Sequence, residues 1–141
     1  MKKSFFSIIG TFVLFALLIM PASAAVTATP DPTAQLSDDG RSFTVTVTVS
    51  CEQGTTSSVN VSGSVRQTQG RMWVEGYGYQ SVEGYCTSGF LLVPLTVTTT
   101  SGSLKSGQAG LELSASSCVF NGIYYECEYA PADLYTVRLQ K

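Results

Sequence analysis

The segment "RSFTVTVTVSC", residues 41–51, decides the fold class because its polar and apolar side chains alternate without a break. In an extended chain successive side chains point to opposite faces, so phenylalanine and valines share one face and hydroxyl-bearing residues share the other. This period of two predicts a β-strand with one buried face. Cys51 continues the apolar series, so we expect its side chain to point toward the core.

The same alternation recurs in four later segments: 58–67, 89–100, 108–118 and 134–140. Asn121-Gly122 is a strong hairpin signal between two further extended runs. Pro94 lacks a backbone N–H, which predicts that its strand is an edge or bulges there. After residue 24 no segment shows helical periodicity, so the pattern predicts seven or eight strands.

We therefore predict an all-β protein, an immunoglobulin-like antiparallel two-sheet sandwich of seven or eight strands, with a small barrel as the alternative. The expected organisation is a cleaved signal peptide at 1–24, a leader with a first edge strand at 25–40, and the β-sandwich domain at 41–141.

The first residues have the three parts of an export signal. Lys2 and Lys3 precede an apolar run at 5–20, and Ala22-Ser23-Ala24 is a small-x-small cleavage pattern. Retention of this segment as an N-terminal anchor is the alternative. We expect a secreted protein, extracellular or periplasmic, with no membrane association after cleavage.

The charge balance argues against nucleic-acid partners. The chain has eight basic and ten acidic side chains, and loss of Lys2 and Lys3 would change the net charge from −2 to −4. No run of arginine or lysine is present to contact a phosphate backbone.

Four cysteines in an exported chain predict two disulfides, for which three pairings are formally possible. A four-residue loop, Asn121 to Tyr124, would place Cys118 opposite Cys127. We therefore expect the Cys118–Cys127 pair, which leaves Cys51 with Cys86. Zinc is disfavoured because the chain has no histidine and no C-x-x-C pair.

The residues of most catalytic sites are missing. The absence of histidine removes the commonest general base, and no G-x-S-x-G motif occurs. Two carboxylate pairs, Glu75 with Glu83 and Glu126 with Glu128, could in principle do acid–base work, but a solvated strand has the same pattern. We predict a protein that is not an enzyme and has no metal and no cofactor.

The segment "RMWVEGYGY", residues 71–79, is the candidate binding strand. Alternation places four residues on one face: Trp73, Glu75, Tyr77 and Tyr79. We expect this face to look outward, because burying an unpaired carboxylate costs several kcal/mol whereas exposing tyrosine rings costs far less.

The opposite face of the same strand carries Met72, Val74, Gly76 and Gly78. We expect Met72 and Val74 to point inward. The two glycines would let another layer of the protein come close, or serve twist and bulges.

Three stretches, at 45–71, 76–86 and 96–116, resemble a group of small secreted bacterial domains. The shared features are a strand ending in Cys51, Arg66-Gln67 before a turn, a G-x-G strand leading to Cys86, and Gly107-Gln108-Ala109 opening a late strand. The resemblance runs from about residue 43 to 116 and implies an immunoglobulin-like β-sandwich. It supplies no catalytic residues, because the function of those domains is uncharacterised. The hairpin around Asn121 departs from their simplest form.

The leading functional hypothesis is a secreted, non-catalytic β-sandwich protein that acts as a binding or structural surface module. The first alternative is a carbohydrate- or peptide-binding module that uses Trp73, Glu75, Tyr77 and Tyr79, with an extracellular glycan or protein as its partner. The second alternative is a protease inhibitor that presents the disulfide-tied loop at 119–126.

Overall fold

A computed structural model describes residues 25–141 of the chain. The predicted signal peptide, residues 1–24, lies outside these residues, so its cleavage stays a prediction. The described part is built from β-strands, which agrees with the all-β class expected from the alternation.

Eight strands are present in this part of the chain: β1 (Ala28–Pro30), β2 (Thr33–Leu36), β3 (Ser42–Ser50), β4 (Thr56–Gln69), β5 (Met72–Tyr85), β6 (Phe90–Thr99), β7 (Gly107–Phe120) and β8 (Tyr125–Gln140).

The strands form one sheet in the order β1-β3-β2-β8-β7-β4-β5-β6, and a further pairing of β3 with β6 closes it around the core. The hydrogen-bond ladder is therefore a single sheet rather than two separate ones. It is also mixed, because β2 runs parallel to β8 while every other pair within the described residues is antiparallel. The expectation of a purely antiparallel architecture was wrong on this point.

The difference originates in the segment 25–40, where the sequence suggested one edge strand. Two short strands occur there, and both lie along the same side of β3. β2 also pairs with β8, so it has a neighbour on each side. Ala34 and Leu36 are each only 3% exposed, and β2 therefore joins two parts of the ladder and contributes to the core.

The core consists of the inward faces predicted by the alternation. Phe43, Val47, Val61, Leu111 and Val137, which come from four strands, are all at most 1% exposed. Burial of each such side chain contributes about 1.5–3 kcal/mol, so this packed interior is the main stabilising feature of the fold.

Of the two alternatives predicted for Pro94, an edge position or a bulge, the edge position is confirmed. β6 pairs with β3 over its whole length, with Pro94 opposite Thr46. On its other side β6 pairs with β5 only at Thr98 and Thr99, so Pro94 lies where β6 has no second neighbour in the described sheet.

Both predicted disulfides are confirmed, Cys51–Cys86 and Cys118–Cys127. Cys118 lies directly opposite Cys127 in the β7–β8 register, as the four-residue loop required. The side chain of Asn121 stabilises this loop, because its Oδ1 accepts hydrogen bonds from the backbone N–H groups of Ile123 and Tyr124 at 3.0 and 3.1 Å.

The two ends of the sheet differ, and we name them by how the ladder finishes. At the closed end, β2 connects β3 to the last residues of β8, Arg138–Gln140. At the open end, β1 pairs with β3 alone, and the first residues of β8 pair with β7 alone.

Candidate functional site

The predicted outward face of β5 is exposed. Trp73, Tyr77 and Tyr79 are 61%, 56% and 58% exposed, while Val74 between them is 8% exposed. The side chain of Glu75 is 46% exposed. The orientation expected from the alternation is therefore confirmed, and the binding role of these four residues stays a prediction.

The expectation for Met72 was wrong, because its side chain is 75% exposed. Met72 has the same parity as Val74, so it belongs to the inner side of the strand. It is the first residue of β5, however, and pairs with Gln69 at the turn. No core residue covers that position, and a side chain at a strand end can be inward by parity and still be exposed.

Gly76 and Gly78 explain why the aromatic residues are found on only one side of β5. Both glycines are buried and face β6. A Cβ atom on Gly76 would lie 2.6 Å from the carbonyl oxygen of Thr98, which is closer than real side chains allow. The glycines thus let β6 approach, as the sequence suggested, and larger side chains are confined to the outer face.

The acidic residue on this face is paired. Arg66, directly opposite Glu75 on β4, donates from Nε and Nη2 to Glu75 Oε1 at 2.9 and 2.6 Å. The same guanidinium lies 4.9 Å from the centroid of the Trp73 ring, a cation–π distance. Exposed ion pairs contribute little stability, so the main effect of Arg66 is to neutralise Glu75 and hold the indole in place.

A line of polar side chains runs from β5 across β4 to β7. Tyr79 donates its hydroxyl proton to Asn60 Oδ1 at 2.8 Å, and Asn60 Nδ2 donates to Ser116 Oγ at 3.3 Å. In the next row the hydroxyl oxygens of Ser62 and Ser114 are 2.7 Å apart.

The strand register extends this line into a wider surface that sequence reasoning missed. We call its middle the polar floor, and it consists of six uncharged outward side chains of β4 and β7: Ser58, Asn60, Ser62, Ser64, Ser114 and Ser116. Aromatic residues of β5 lie on one side of the floor. On the other side is Tyr129 of β8, which is opposite Ser116 and 72% exposed.

The two aromatic borders are separated by three strand spacings, about 14 Å. Tyr85, which is 60% exposed, continues the β5 border. Extending the period of two beyond Tyr79 would have found Tyr85. Nothing in the sequence pairs Tyr129 with this surface, because that neighbourhood depends on the order of four strands.

The exposed aromatic side chains line neither of two cavities found in the described part of the chain. A cavity of about 600 Å³ lies at the open end and is lined by residues that include Cys51, Val119 and Glu126. A second cavity of about 580 Å³ lies near the β4–β5 turn and is lined by residues that include Gln67 and Met72. A ligand of the aromatic surface would therefore rest on the outer face of the sheet and not in either cavity.

One buried polar side chain has a structural explanation. Gln67, 5% exposed, donates from Nε2 to the carbonyl oxygen of Lys105 at 2.7 Å and accepts from the Lys105 N–H at 2.8 Å. Gln69 Nε2 also donates to Gln67 Oε1. Because its amide is satisfied on both sides, Gln67 fixes the loop between β6 and β7.

Within residues 25–141 no group of three histidine, cysteine, aspartate or glutamate side chains is placed to hold a metal ion. The same part of the chain contains no helix of the length and apolar character needed to cross a membrane.

No protein-family model matches the chain, and no curated protein matches it. Among solved structures it is similar to AggA, the major subunit of aggregative adherence fimbriae type I from Escherichia coli, with 12% identity and a TM-score of 0.44 over 82% of this chain and 94% of that one. It is also similar to Spo0M, a sporulation control protein from Bacillus subtilis, with 13% identity and a TM-score of 0.39. That match covers 84% of this chain and 50% of Spo0M. The resemblance to small secreted bacterial domains stays a prediction.

Proposed function

We propose that the protein is an exported, non-catalytic binding module whose outer β5–β4–β7–β8 surface binds a carbohydrate. The observation that carries the proposal is the exposure of Trp73, Tyr77 and Tyr79 by more than half on one strand face. The two disulfides support an oxidising compartment outside the cytoplasm.

The chemistry of the surface suits a neutral, hydroxyl-rich ligand. Tyrosine and tryptophan rings offer a flat apolar face for stacking and a polar tip for hydrogen bonding. The polar floor adds serine hydroxyls, each of which can both donate and accept, and the amide of Asn60. Since Arg66 neutralises Glu75, the middle of the aromatic row carries little net charge.

Titration with soluble oligosaccharides tests the proposal directly. Trp73 is the only tryptophan of the chain, so intrinsic tryptophan fluorescence reports on this surface alone. We expect a saturable fluorescence change with at least one neutral oligosaccharide from a panel of plant, fungal and bacterial types. Tyr77→Ala and Tyr79→Ala should each weaken binding by about fivefold, because loss of one stacked ring removes on the order of 1 kcal/mol.

Tyr124→Ala is the matched control. Tyr124 is as exposed as Tyr77, at 57%, but it lies in the β7–β8 turn, so its removal should leave glycan affinity unchanged. An equal loss in all three variants, or no saturable response to any oligosaccharide, would contradict the carbohydrate proposal. Turnover of any substrate that one point substitution abolishes would contradict the non-catalytic part.

The protease-inhibitor hypothesis retains one supporting observation. Ile123, in the turn between the cysteine-linked strands, is 86% exposed. Stoichiometric loss of protease activity on adding the protein, relieved by Ile123→Asp, is the result expected of an inhibitor.

A further inference from the structure

At the open end the ladder of strands has a gap. The first residues of β8, Tyr125–Tyr129, pair with β7 on one side, and β8 meets β2 only further along, at Arg138–Gln140. β1 faces this gap from the other side, and it pairs with β3 alone. We call the space between the two strand edges the seam.

The alternation of hydrogen bonds shows which backbone groups of β8 point into the seam. The N–H of Asn121 donates to the carbonyl oxygen of Tyr124, so these two residues form a hydrogen-bonded pair of the antiparallel ladder. Because such pairs alternate, the backbone groups of Tyr125, Cys127 and Tyr129 point away from β7. This edge therefore presents three N–H donors and three C=O acceptors.

The edge of β1 on the other side of the seam follows the same alternation of hydrogen bonds. We call the β8 edge and the β1 edge the two lips of the seam. The N–H of Ser50 donates to the carbonyl oxygen of Thr27, which turns the backbone groups of Val26 and Ala28 away from β3. The hydroxyl of Tyr135 donates to the Ala28 carbonyl oxygen at 2.7 Å and so connects the two lips at the inner end of the seam. From that contact the seam opens toward the tip of the β7–β8 hairpin.

The side chains at the mouth of the seam are acidic. Glu126 and Glu128 share the parity of buried Ala130, so they occupy inner positions of β8, yet both are exposed. With Glu52 they line the cavity of about 600 Å³, and its lining contains no lysine or arginine. Glu126 accepts one hydrogen bond, from Asn121 Nδ2 at 2.9 Å.

We propose that the seam binds an extended peptide as an added β-strand on the edge of β8, with lysine or arginine side chains of the peptide entering the acidic mouth. A peptide backbone is the ligand whose alternating donors and acceptors match an open strand edge, and this mode of recognition is common. Charge complementarity selects a basic peptide. The proposed peptide site is the open edge of β8, whereas the carbohydrate site is the outer face of the sheet. Tyr129 borders both, through its backbone in the first case and its ring in the second, and the peptide proposal does not depend on the carbohydrate one.

A second copy of the chain is a poorer occupant of the seam. Two β8 edges placed together would bring the carboxylates of Glu126 and Glu128 against those of the other copy, and like charges across a strand pair are destabilising. The inward carboxylates thus act against self-association while favouring a basic partner.

A fluorescein-labelled peptide in which valine and lysine alternate is the probe, and fluorescence anisotropy is the measurement. We expect saturable binding to the wild-type protein, and no binding of the peptide in which glutamate replaces lysine. N-methylation of one alternate set of peptide residues should abolish binding, whereas methylation of the other set should be tolerated, because only one edge of the added strand pairs with β8.

Matched protein variants locate the site. The double substitution Glu126→Gln and Glu128→Gln should weaken binding of the lysine peptide by about tenfold or more. Glu83→Gln with Glu112→Gln removes the same charge from exposed positions on the outer surface and should change affinity less than twofold. Hydrogen exchange by NMR should show protection of the Tyr125, Cys127 and Tyr129 amides in the complex.

Several results would overturn the proposal. Equal binding of both N-methylated peptides, or equal competition by lysine amide at the same concentration of ammonium groups, would mean that only charge is recognised. Lack of peptide binding at millimolar concentration would exclude the seam as a peptide site. A free protein that is already dimeric, with the three β8 amides protected, would assign the edge to a second copy.

Discussion

The closed and open ends of this sheet differ in the side chains that fill the interior and in whether the strand ladder is complete. At the closed end the interior is mainly apolar, with Leu36, Leu104 and Leu139 at most 3% exposed, and β2 completes the ladder. The one buried polar side chain described there, Gln67, is fully hydrogen-bonded. At the open end the interior positions are filled by polar residues such as Ser57 and Ser117, and the ladder is left incomplete. Both disulfides lie at this open end.

The two ends are stabilised by different interactions. Burial of leucine side chains is sufficient at the closed end, which has no cysteine. At the open end, polar lining and unpaired strand edges leave less hydrophobic stabilisation, and covalent links restrict the unfolded chain instead. Covalent links allow the end of a small domain to remain open without loss of its fold.

Among the substitutions that test this comparison, removal of the Cys51–Cys86 disulfide should lower the free energy of unfolding the most. The cysteines are 35 residues apart, and the chain-entropy relation assigns about 4 kcal/mol to a loop of that length. We expect the double substitution Cys51→Ala and Cys86→Ala to lower the free energy of unfolding by about this amount, measured by urea denaturation. The matched removal of Cys118–Cys127, which spans 9 residues, should cost about 2.6 kcal/mol. An equal or reversed order would show that strain or denatured-state structure, rather than loop length, governs the open end.

Truncation of a single leucine compares the buried face of β8 with its outer face. Leu139, 1% exposed, lies at the closed end of β8, and we expect Leu139→Ala to lower the free energy of unfolding by about 3 kcal/mol. Leu134 on the same strand is 71% exposed, so Leu134→Ala should change it by less than about 0.5 kcal/mol. Similar costs for both substitutions, measured by thermal or urea unfolding, would contradict the burial of Leu139 in the core at the closed end.

The smallest expected change in the free energy of unfolding comes from the hydrogen bond between β8 and β1 across the seam. Tyr135→Phe removes the hydrogen bond to the Ala28 carbonyl and should lower the free energy of unfolding by about 1 kcal/mol at pH 7. Burial, with the negative charge of Asp133, raises the pKa of the Tyr135 hydroxyl above its ordinary value. A raised folded-state pKa means that the contribution is complete below about pH 10 and is lost as pH rises through the folded-state pKa.

The difference between wild type and Tyr135→Phe should therefore shrink above about pH 10, as measured by urea unfolding across that range. Tyr129→Phe is the control, because Tyr129 is 72% exposed and its hydroxyl makes no such contact. A difference that stays constant with pH would show that the Tyr135 ring, rather than its hydroxyl, stabilises the seam.

Much of the local structure could be predicted from particular residues. The alternation at 41–51 gave both the strand and its buried face, and the spacing around Asn121-Gly122 gave the loop length and both disulfide pairings. For the candidate site, the outward orientation of Trp73, Tyr77 and Tyr79 followed from the cost of burying Glu75. Parity did not give the exposure of Met72, or of Glu126 and Glu128 at the open end, because parity gives the side of a strand but not how far the core extends.

Side-chain alternation and turn chemistry are local properties, so the sequence by itself determined the all-β class, the strands after residue 40, the disulfides and the exposed aromatic row. The tertiary structure decided which strands are neighbours, because pairing depends on contacts between residues far apart in the chain. It placed β2 parallel to β8, brought Tyr129 to the far side of the polar floor and left the edge of β8 unpaired. The partner of Glu75 was also decided there, since several arginines and lysines were available and only the β4–β5 register sets Arg66 opposite it.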